Sequence, residues 1–308
     1  MDMKIVDADS TFDRLGGLAG RFPGFVAKPH ETGAGQRYFI EPGVVLLARP
    51  EFNRGPLGAF LDGFPSELGF NDFMQDEPIR DQAGTELIKT AGQLCYMSFG
   101  TNRTKNADAQ KYIDNILKSG HGSVLEHAQY SFLIWGVGRD FTHELVRHRT
   151  GVAFSQVSQR YVDGQVLRFV ERPEYQEDNE LHSDFANRMR LTVMAYDRTA
   201  QALIKRQSEG DAALSGEKKT ELRKRVNQAA RSLLPNETEA PIVFSGNIRA
   251  LRHVVEMRSS NAADVPIRMV TTRIFLAMRH IEPVLFNDYK LYELPDGTNA
   301  VATEWRKV

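Results

Sequence analysis

Apolar positions recur along this chain at two periods, and stretches of each kind alternate. Leu87, Ile88, Ala91 and Leu94 are spaced for one face of a helix over about Gly84 to Cys95. Ile113, Ile116 and Leu117 mark a second helix over about Ala107 to Lys118, with Gly120 suited to its C-terminal cap. Strands are predicted at Val44 to Ala48, within Glu126 to Gly136 (Tyr130, Phe132, Ile134, Trp135), and at Val166 to Val170. A short helix is predicted from Phe141 to about Arg149, with Phe141 and Leu145 inward and Glu144, Arg147 and His148 sharing one face, before Thr150-Gly151 breaks it. Two long charged helices follow, about 179–208 and 217–233, separated by a loop at Ser208–Gly216, with Pro235 stopping the second. Ser245-Gly246 is read as opening a helix of about 247–258, and Asp264 and Pro266 as capping another of about 266–281.

The rest of the chain is less regular. Residues 1–40 are Gly-rich and weakly periodic, and 50–80 mix Gly and Pro with Phe52, Phe60, Phe64, Phe70 and Phe73. The latter stretch reads as an irregular packed excursion that covers a partner subunit. Helices interleaved with scattered strands indicate an α+β or α/β domain, α+β being the expectation, and no linker composition divides the chain. The expectation is one domain over 1–308, with a core at about 84–290 and an extended N-terminal region, 1–83.

Composition narrows the function. The 308 residues carry 39 Lys and Arg against 40 Asp and Glu, a net charge of −1, so no global basic field exists for nucleic acid. No apolar run approaches the roughly 20 residues of a membrane-spanning helix. The N-terminus shows no apolar signal core, which points to the cytosol. The single cysteine, Cys95, can form neither an internal disulfide nor a Cys-rich metal site, and its apolar neighbours read as core packing.

The densest polar stretch runs from Arg147-His148-Arg149 to Ser155-Gln156-Val157-Ser158-Gln159-Arg160-Tyr161. Guanidinium forks suit phosphate and carboxylate oxygens, and hydroxyls with loop N–H groups complete an anion site. The structural alternative is a solvated basic helix end followed by a polar loop.

Arg147-His148-Arg149 followed by Ser158-x-Arg160 resembles the signature of flavin-dependent thymidylate synthases. The family spacer is seven residues, whereas eight, Thr150 to Val157, stand here. Gly120-His121-Gly122-Ser123-Val124-Leu125-Glu126-His127 resembles the family's Gly-His-x-Ser/Thr-Pro-x-Glu-His segment, with Val124 in place of Pro. Ala230-Arg231-Ser232-Leu233-Leu234-Pro235 resembles its Ala-Arg-x-x-Leu-Pro segment, and Asn247-Ile248-Arg249 with Arg258 its Asn-x-Arg and later Arg. Two further departures are Ala262, where the family commonly has His, and Glu144, where relatives commonly have Gln.

The resemblance implies the following roles. Arg147, His148 and Arg149 lie in a flavin pocket with Ser155, Asn247, Arg249 and His253, and His121, Ser123 and Glu126 line its flavin and folate side. Ser158, Gln159, Arg160 and Gln156 bind a nucleotide together with Arg231, and Ser158 and Arg258 act in the reaction. Arg258 contacts the pyrimidine ring, with Glu144 near the base. The implied reaction is C5-methylation of a uridine nucleotide, dUMP to dTMP, with FAD as cofactor, NADPH as reductant and methylenetetrahydrofolate as carbon donor. The family is homotetrameric, with a mixed sheet, long helices and sites shared between subunits. Two alternatives stand beside this reading: a paralogue that methylates UMP or another pyrimidine nucleotide, and a non-catalytic nucleotide-binding relative. Each implied role also has a structural rival, such as an Arg147–Glu144 ion pair at i−3, or Arg258 answering its own helix dipole.

Overall fold

Side chains that alternate between fully buried and half-exposed, from Tyr130 through Phe132 to Ile134, fix one face of a strand against the core. A six-stranded antiparallel sheet is built around that strand. The structure is a computed structural model that describes residues 4–76, 79, 81–100, 108–162, 166–208 and 216–305.

In chain order the N-terminal part supplies β1 (Lys4–Val6), α1 (Ala8–Arg14), β2 (Gly17–Leu18), β3 (Gly24–Phe25), β4 (His30–Glu31), β5 (Arg37–Phe39), β6 (Gly43–Ala48) and α2 (Gly55–Leu61). There follow α3 (Ala83–Cys95), α4 (Ala109–Lys118), β7 (Gln129–Trp135), α5 (Arg139–Leu145), β8 (Val152–Gln156), β9 (Phe169–Val170) and α6 (Pro173–Gln176). The remainder comprises α7 (Asn179–Ser208), α8 (Gly216–Ala230), β10 (Ile242–Asn247), α9 (Ile248–Arg258), α10 (Val265–Ile281), β11 (Tyr289–Glu293) and β12 (Asn299–Thr303). The central sheet has the order β2-β3-β6-β7-β10-β8, with smaller sheets β1-β11-β12 and β4-β5-β9. This mixed α/β architecture agrees with the expected class.

Helix α10 lies at the heart of the core. Ile267, Val270, Ile274, Phe275 and Met278 are all buried, and they join Val44, Phe132 and Phe244 from the sheet in one cluster. Its start follows the sequence reading: Asp264 caps the helix and Pro266 stands in the first turn. α4 also ends as read, because Gly120 adopts φ +70° and the His121 N–H bonds back to the Ile116 carbonyl.

Several expectations are corrected. The short helix begins at Arg139 and stops at Leu145, so Arg147, His148 and Arg149 lie beyond it in a turn and do not share a helical face with Glu144. The stretch after Thr150-Gly151 is not a polar loop but the edge strand β8. Its exposed side holds Ala153 and Ser155, which hides the alternation, while Phe154 stacks on Phe244. Ser245-Gly246 do not open a helix; they are the last turn-ward positions of β10, and the cap of α9 is Asn247, whose side chain accepts from the Ala250 N–H. Leu94 and Cys95 face outward at the end of α3, because the buried side of that helix carries Thr85, Ile88, Gly92 and Gln93; Cys95 is therefore exposed and not core packing.

The N-terminal region is also more integrated than its composition suggested. β3 pairs with β6, β1 pairs with β11, and Phe12 and Phe25 belong to the main core. The Phe-rich excursion packs on its own chain, through Leu61, Phe73 and Phe99, with Arg54 reaching to 3.6 Å from Glu86 of α3. Among the described residues no helix is long and apolar enough to cross a membrane.

Candidate functional site

Helix α5 is tied to the end of strand β8 where Gln156 Nε2 donates to Thr142 Oγ1 at 3.2 Å. One end of this pair gathers Glu144, Arg147, His148, Arg149 and the turn at Gly151. The other gathers Arg139, Gln156, Ser158, Gln159 and Arg160.

At the first end, Arg258 closes α9 and reaches across to the turn after α5. Its Nε–H donates to His148 Nε2 at 3.0 Å, and Nη1 donates to Glu144 Oε2 at 2.7 Å. A guanidinium has five N–H donors, so one on each terminal nitrogen can still meet a ligand. Glu144 therefore pairs with Arg258 and not with Arg147. His148 must accept at Nε2 and carries its proton on Nδ1. Burial pushes its pKa down to about 4, assisted by the neighbouring Arg258 and by His253, whose ring stands edge-on at 5.6 Å.

Two clefts open beside this cluster. One, of about 310 Å³, is lined by Glu126, Thr150, Gly151, Asn247, Arg249 and His253. The other, of about 270 Å³, is lined by Arg147, His148, Arg149, Thr150 and His253, and the two share Thr150, Ala250 and His253. Asn247 lies at the N-terminus of α9, and Arg249 bonds Glu126 at 2.6 Å. Among the described residues Arg147 and Arg149 have no carboxylate partner. Two unpaired guanidiniums, a neutral imidazole and a helix N-terminus suit a large ring system that carries negative charge and phosphate groups. This donor set fits a flavin dinucleotide.

His121 and Ser123 are exposed on the turn Gly122–Glu126, which packs on α9, and they line neither cleft; Glu126 does. Ser155 points outward from β8 away from both.

At the second end the loop after β8 is compact. Arg160 N–H donates to Ser158 Oγ at 3.4 Å, and the Arg160 guanidinium lies 5.6 Å from the Tyr161 ring. Arg160 Nε and Gln159 Nε2 are buried without a hydrogen-bond partner. So is Arg139 Nε, in a guanidinium whose pKa is lowered by burial and by Arg231. Arg139, Arg160 and Arg231 make no ion pair among the described residues. Arg139 and Arg231 repel each other, and an anion beside them would offset that repulsion. The sequence reading missed Arg139. A signal existed: it opens α5, where the positive end of the helix dipole disfavours a cation unless an anion offsets it.

The guanidiniums of Arg147, Arg149, Arg139 and Arg231 suit ligands that carry several negative charges. The family model for thymidylate synthase complementing protein, Thy1, matches residues 79–284. A flavin-dependent thymidylate synthase of Mycobacterium sp. (strain JLS) is 39% identical over 224 residues, 72% of this chain and 86% of the relative. One from Mycobacterium avium (strain 104) is 39% identical over 71% of this chain and 85% of its own length. The chain belongs to the thymidylate synthase complementing protein family. Among solved structures, a UMP/dUMP methylase, PolB of Streptomyces cacaoi bound with 5-Br dUMP, is similar in fold at TM-score 0.50 and 18% identity, covering 80% of this chain and 94% of that one.

Proposed function

We propose that this protein is a single-domain enzyme that methylates dUMP at C5 to give dTMP, with FAD as resident cofactor, methylenetetrahydrofolate as carbon donor and NADPH as reductant. The observation that carries this reading is the Arg258 fork, anchored on Glu144 and His148 with donors to spare. Family membership supports the same activity. When bound, the flavin supplies the reducing equivalents that convert a transferred one-carbon unit into a methyl group.

Arg147, Arg149, His148, Asn247, Arg249 and His253 would hold the flavin. Ser158, Arg160, Arg231 and Arg139 would hold the nucleotide phosphate, with Gln156 and Gln159 alongside. Arg258 faces the pyrimidine. As C5 attacks the one-carbon electrophile, charge develops on the ring oxygen, and the planar guanidinium stabilises it more than it stabilises the ground state. His121, Ser123 and Glu126 belong to the flavin and folate side of this reading, with Ser155 beside the flavin.

The resemblance to flavin-dependent thymidylate synthases supports a homotetramer with sites shared between subunits. The eight-residue spacer keeps UMP as a second candidate substrate. The test is methyl transfer to dUMP and UMP measured side by side on purified protein, with flavin bands in its absorbance spectrum. Saturating FAD with no bound flavin would overturn the reading, leaving a non-catalytic nucleotide binder.

A further inference from the structure

Both ends of α9 reach the site. Asn247 at its N-terminus lines one cleft, and Arg258 at its C-terminus meets Glu144 and His148. Its apolar contacts, through Leu251, Val254 and Val255, are non-directional and do not by themselves fix its position along its axis.

A directional contact stands in the middle of the helix. The Arg252 side chain is fully buried and that of Asp288 nearly so. Arg252 Nη1 donates to Asp288 Oδ1 and Nη2 to Asp288 Oδ2, both at 2.8 Å, a bidentate fork. Nη1 also donates to the Leu285 carbonyl at 2.6 Å. The guanidinium lies 4.7 Å from the centre of the Tyr289 ring, and the Tyr289 hydroxyl donates to the Arg252 carbonyl at 2.9 Å. Thr303 Oγ1 donates to Asp288 Oδ2. A second tie follows Arg258 directly: the Ser259 carbonyl accepts from the Val301 N–H at 2.9 Å. Asp288, Tyr289, Val301 and Thr303 belong to the β11–β12 hairpin and the residue before it, beyond residue 284, where the family match ends. The hairpin is fixed in turn to α10, where Thr272 Oγ1 donates to the Asn299 carbonyl at 3.2 Å.

A buried ion pair adds little net stability over an apolar pair of similar volume, whereas its paired bonds are satisfied at one helix position only. Arg252 and Arg258 are six residues apart on one helix, about 9 Å along its axis, so what fixes the first fixes the second. The Arg258 bonds to Glu144 and His148, 2.7 and 3.0 Å long, depend on that position.

We propose that the C-terminal hairpin positions Arg258 for the reaction, and that Asp288, acting through Arg252, is the positioning residue. The inference rests on the reading of Arg258 given above. It extends that reading to a part of the chain that lines neither cleft beside Arg258.

The experiment compares the wild type with Asp288→Asn and with a double variant, Arg252→Met and Asp288→Leu, which exchanges the pair for apolar side chains. Melting temperature, steady-state kinetics with dUMP and the His148 titration by NMR are measured on each. The double variant should fold, with a modest change in melting temperature. Its turnover should fall about tenfold to a hundredfold with little change in the Michaelis constant, as for a misplaced group that acts in the transition state. The His148 pKa, held at about 4 by burial, Arg258 and His253, should rise as the guanidinium moves off it. Asp288→Asn should move both readouts in the same direction, and Lys290→Ala, an exposed change on β11, should move neither. Normal turnover or an unmoved His148 in the folded double variant overturns the proposal, because a pair that only held the fold together would leave His148 unchanged. If the double variant does not fold, the same readouts on Asp288→Asn decide, and collapse of both refutes the positioning role in favour of a purely structural one. Arg258→Ala run alongside separates the two claims. Normal turnover there defeats the reading of Arg258 itself, whereas a deficient Arg258→Ala beside a normal double variant defeats the positioning role alone.

Discussion

Removing Arg258 tests the base end of the site through two independent readouts. In Arg258→Ala the cation 3.0 Å from His148 Nε2 disappears, and Glu144 loses its partner at 2.7 Å. Losing one electrostatic donor aimed at developing charge typically costs about 2.7–4 kcal/mol, a fall in turnover of about a hundredfold to a thousandfold. Arg258→Lys keeps the charge but not the planar fork, so turnover should still fall by about tenfold or more. The second readout is His148. Burial, Arg258 and His253 together hold it at about 4 against an ordinary 6.5. The unfolded chain takes up a proton in that interval and the folded chain does not, so stability falls as pH drops from about 6.5 toward 4. The full difference corresponds to about 3 kcal/mol, and solvent screening at this half-exposed site reduces it to about 1–2 kcal/mol. In Arg258→Ala the His148 pKa should rise, while burial keeps it below 6.5, and the acid loss of stability should shrink. Steady-state kinetics with dUMP, histidine NMR titration and denaturation between pH 4 and 8 measure these effects. Near-normal turnover in both variants with fold and flavin intact, or an unmoved His148, would show that Arg258 only ends its helix.

Three further outcomes follow from the geometry. Cys95→Ala should retain methyl transfer and lose almost no stability, because the thiol is exposed; loss of turnover in folded, flavin-loaded protein would indicate a covalent cysteine route. Gly151→Ala should destabilise the protein and lower flavin affinity, since φ is +71° and a Cβ would stand 2.7 Å from the Asn247 amide; an unchanged melting temperature and flavin titration would refute the role of that turn. On the proposal of a shared site, Arg258→Ala and Arg160→Ala, each weakly active alone, should regain activity when co-expressed in one oligomer; no recovery in a confirmed hybrid would argue against sharing.

The helices were legible because their apolar positions repeat with a helical period over several turns, as in α10, and because Asp264 and Gly120 mark their ends. Strands β8 and β10 were not. An edge strand with Ala153 and Ser155 outward lacks the alternation that reveals β7, and Ser245 and Gly246 look like a cap when they are strand residues opposite Ser131 and Tyr130, the Ser245 and Ser131 hydroxyls lying 2.7 Å apart. The short N-terminal strands are invisible for a different reason: two- and three-residue strands carry no period, and only their pairing with β6, β9 and β11 defines them. At the site, the residue types were readable from the motifs, whereas the pairings were not. Glu144 has plausible partners at i+3 and i+4 along the chain, and only the end of α5 at Leu145 frees it to meet Arg258, 114 residues away.

The extra residue between Arg149 and Ser158 shows how such a site tolerates a change in length. Inserted into β8, one residue would invert every side chain beyond it and send Gln156 away from Thr142. The chain places its irregularity before the strand, at the Thr150-Gly151 turn, where Gly151 adopts φ +71° and its carbonyl accepts from the Asn247 N–H at 3.0 Å. Register with β10 then runs unbroken from Val152 opposite Gly246 to Gln156 opposite Ile242. Ser158 and Arg160 follow directly from that register, and the longer spacer falls at the rim of the two clefts, both lined by Thr150 and the first also by Gly151. The departure from the family spacing thus falls at the turn beside the two clefts, while the position of the residues after β8 is set by strand pairing.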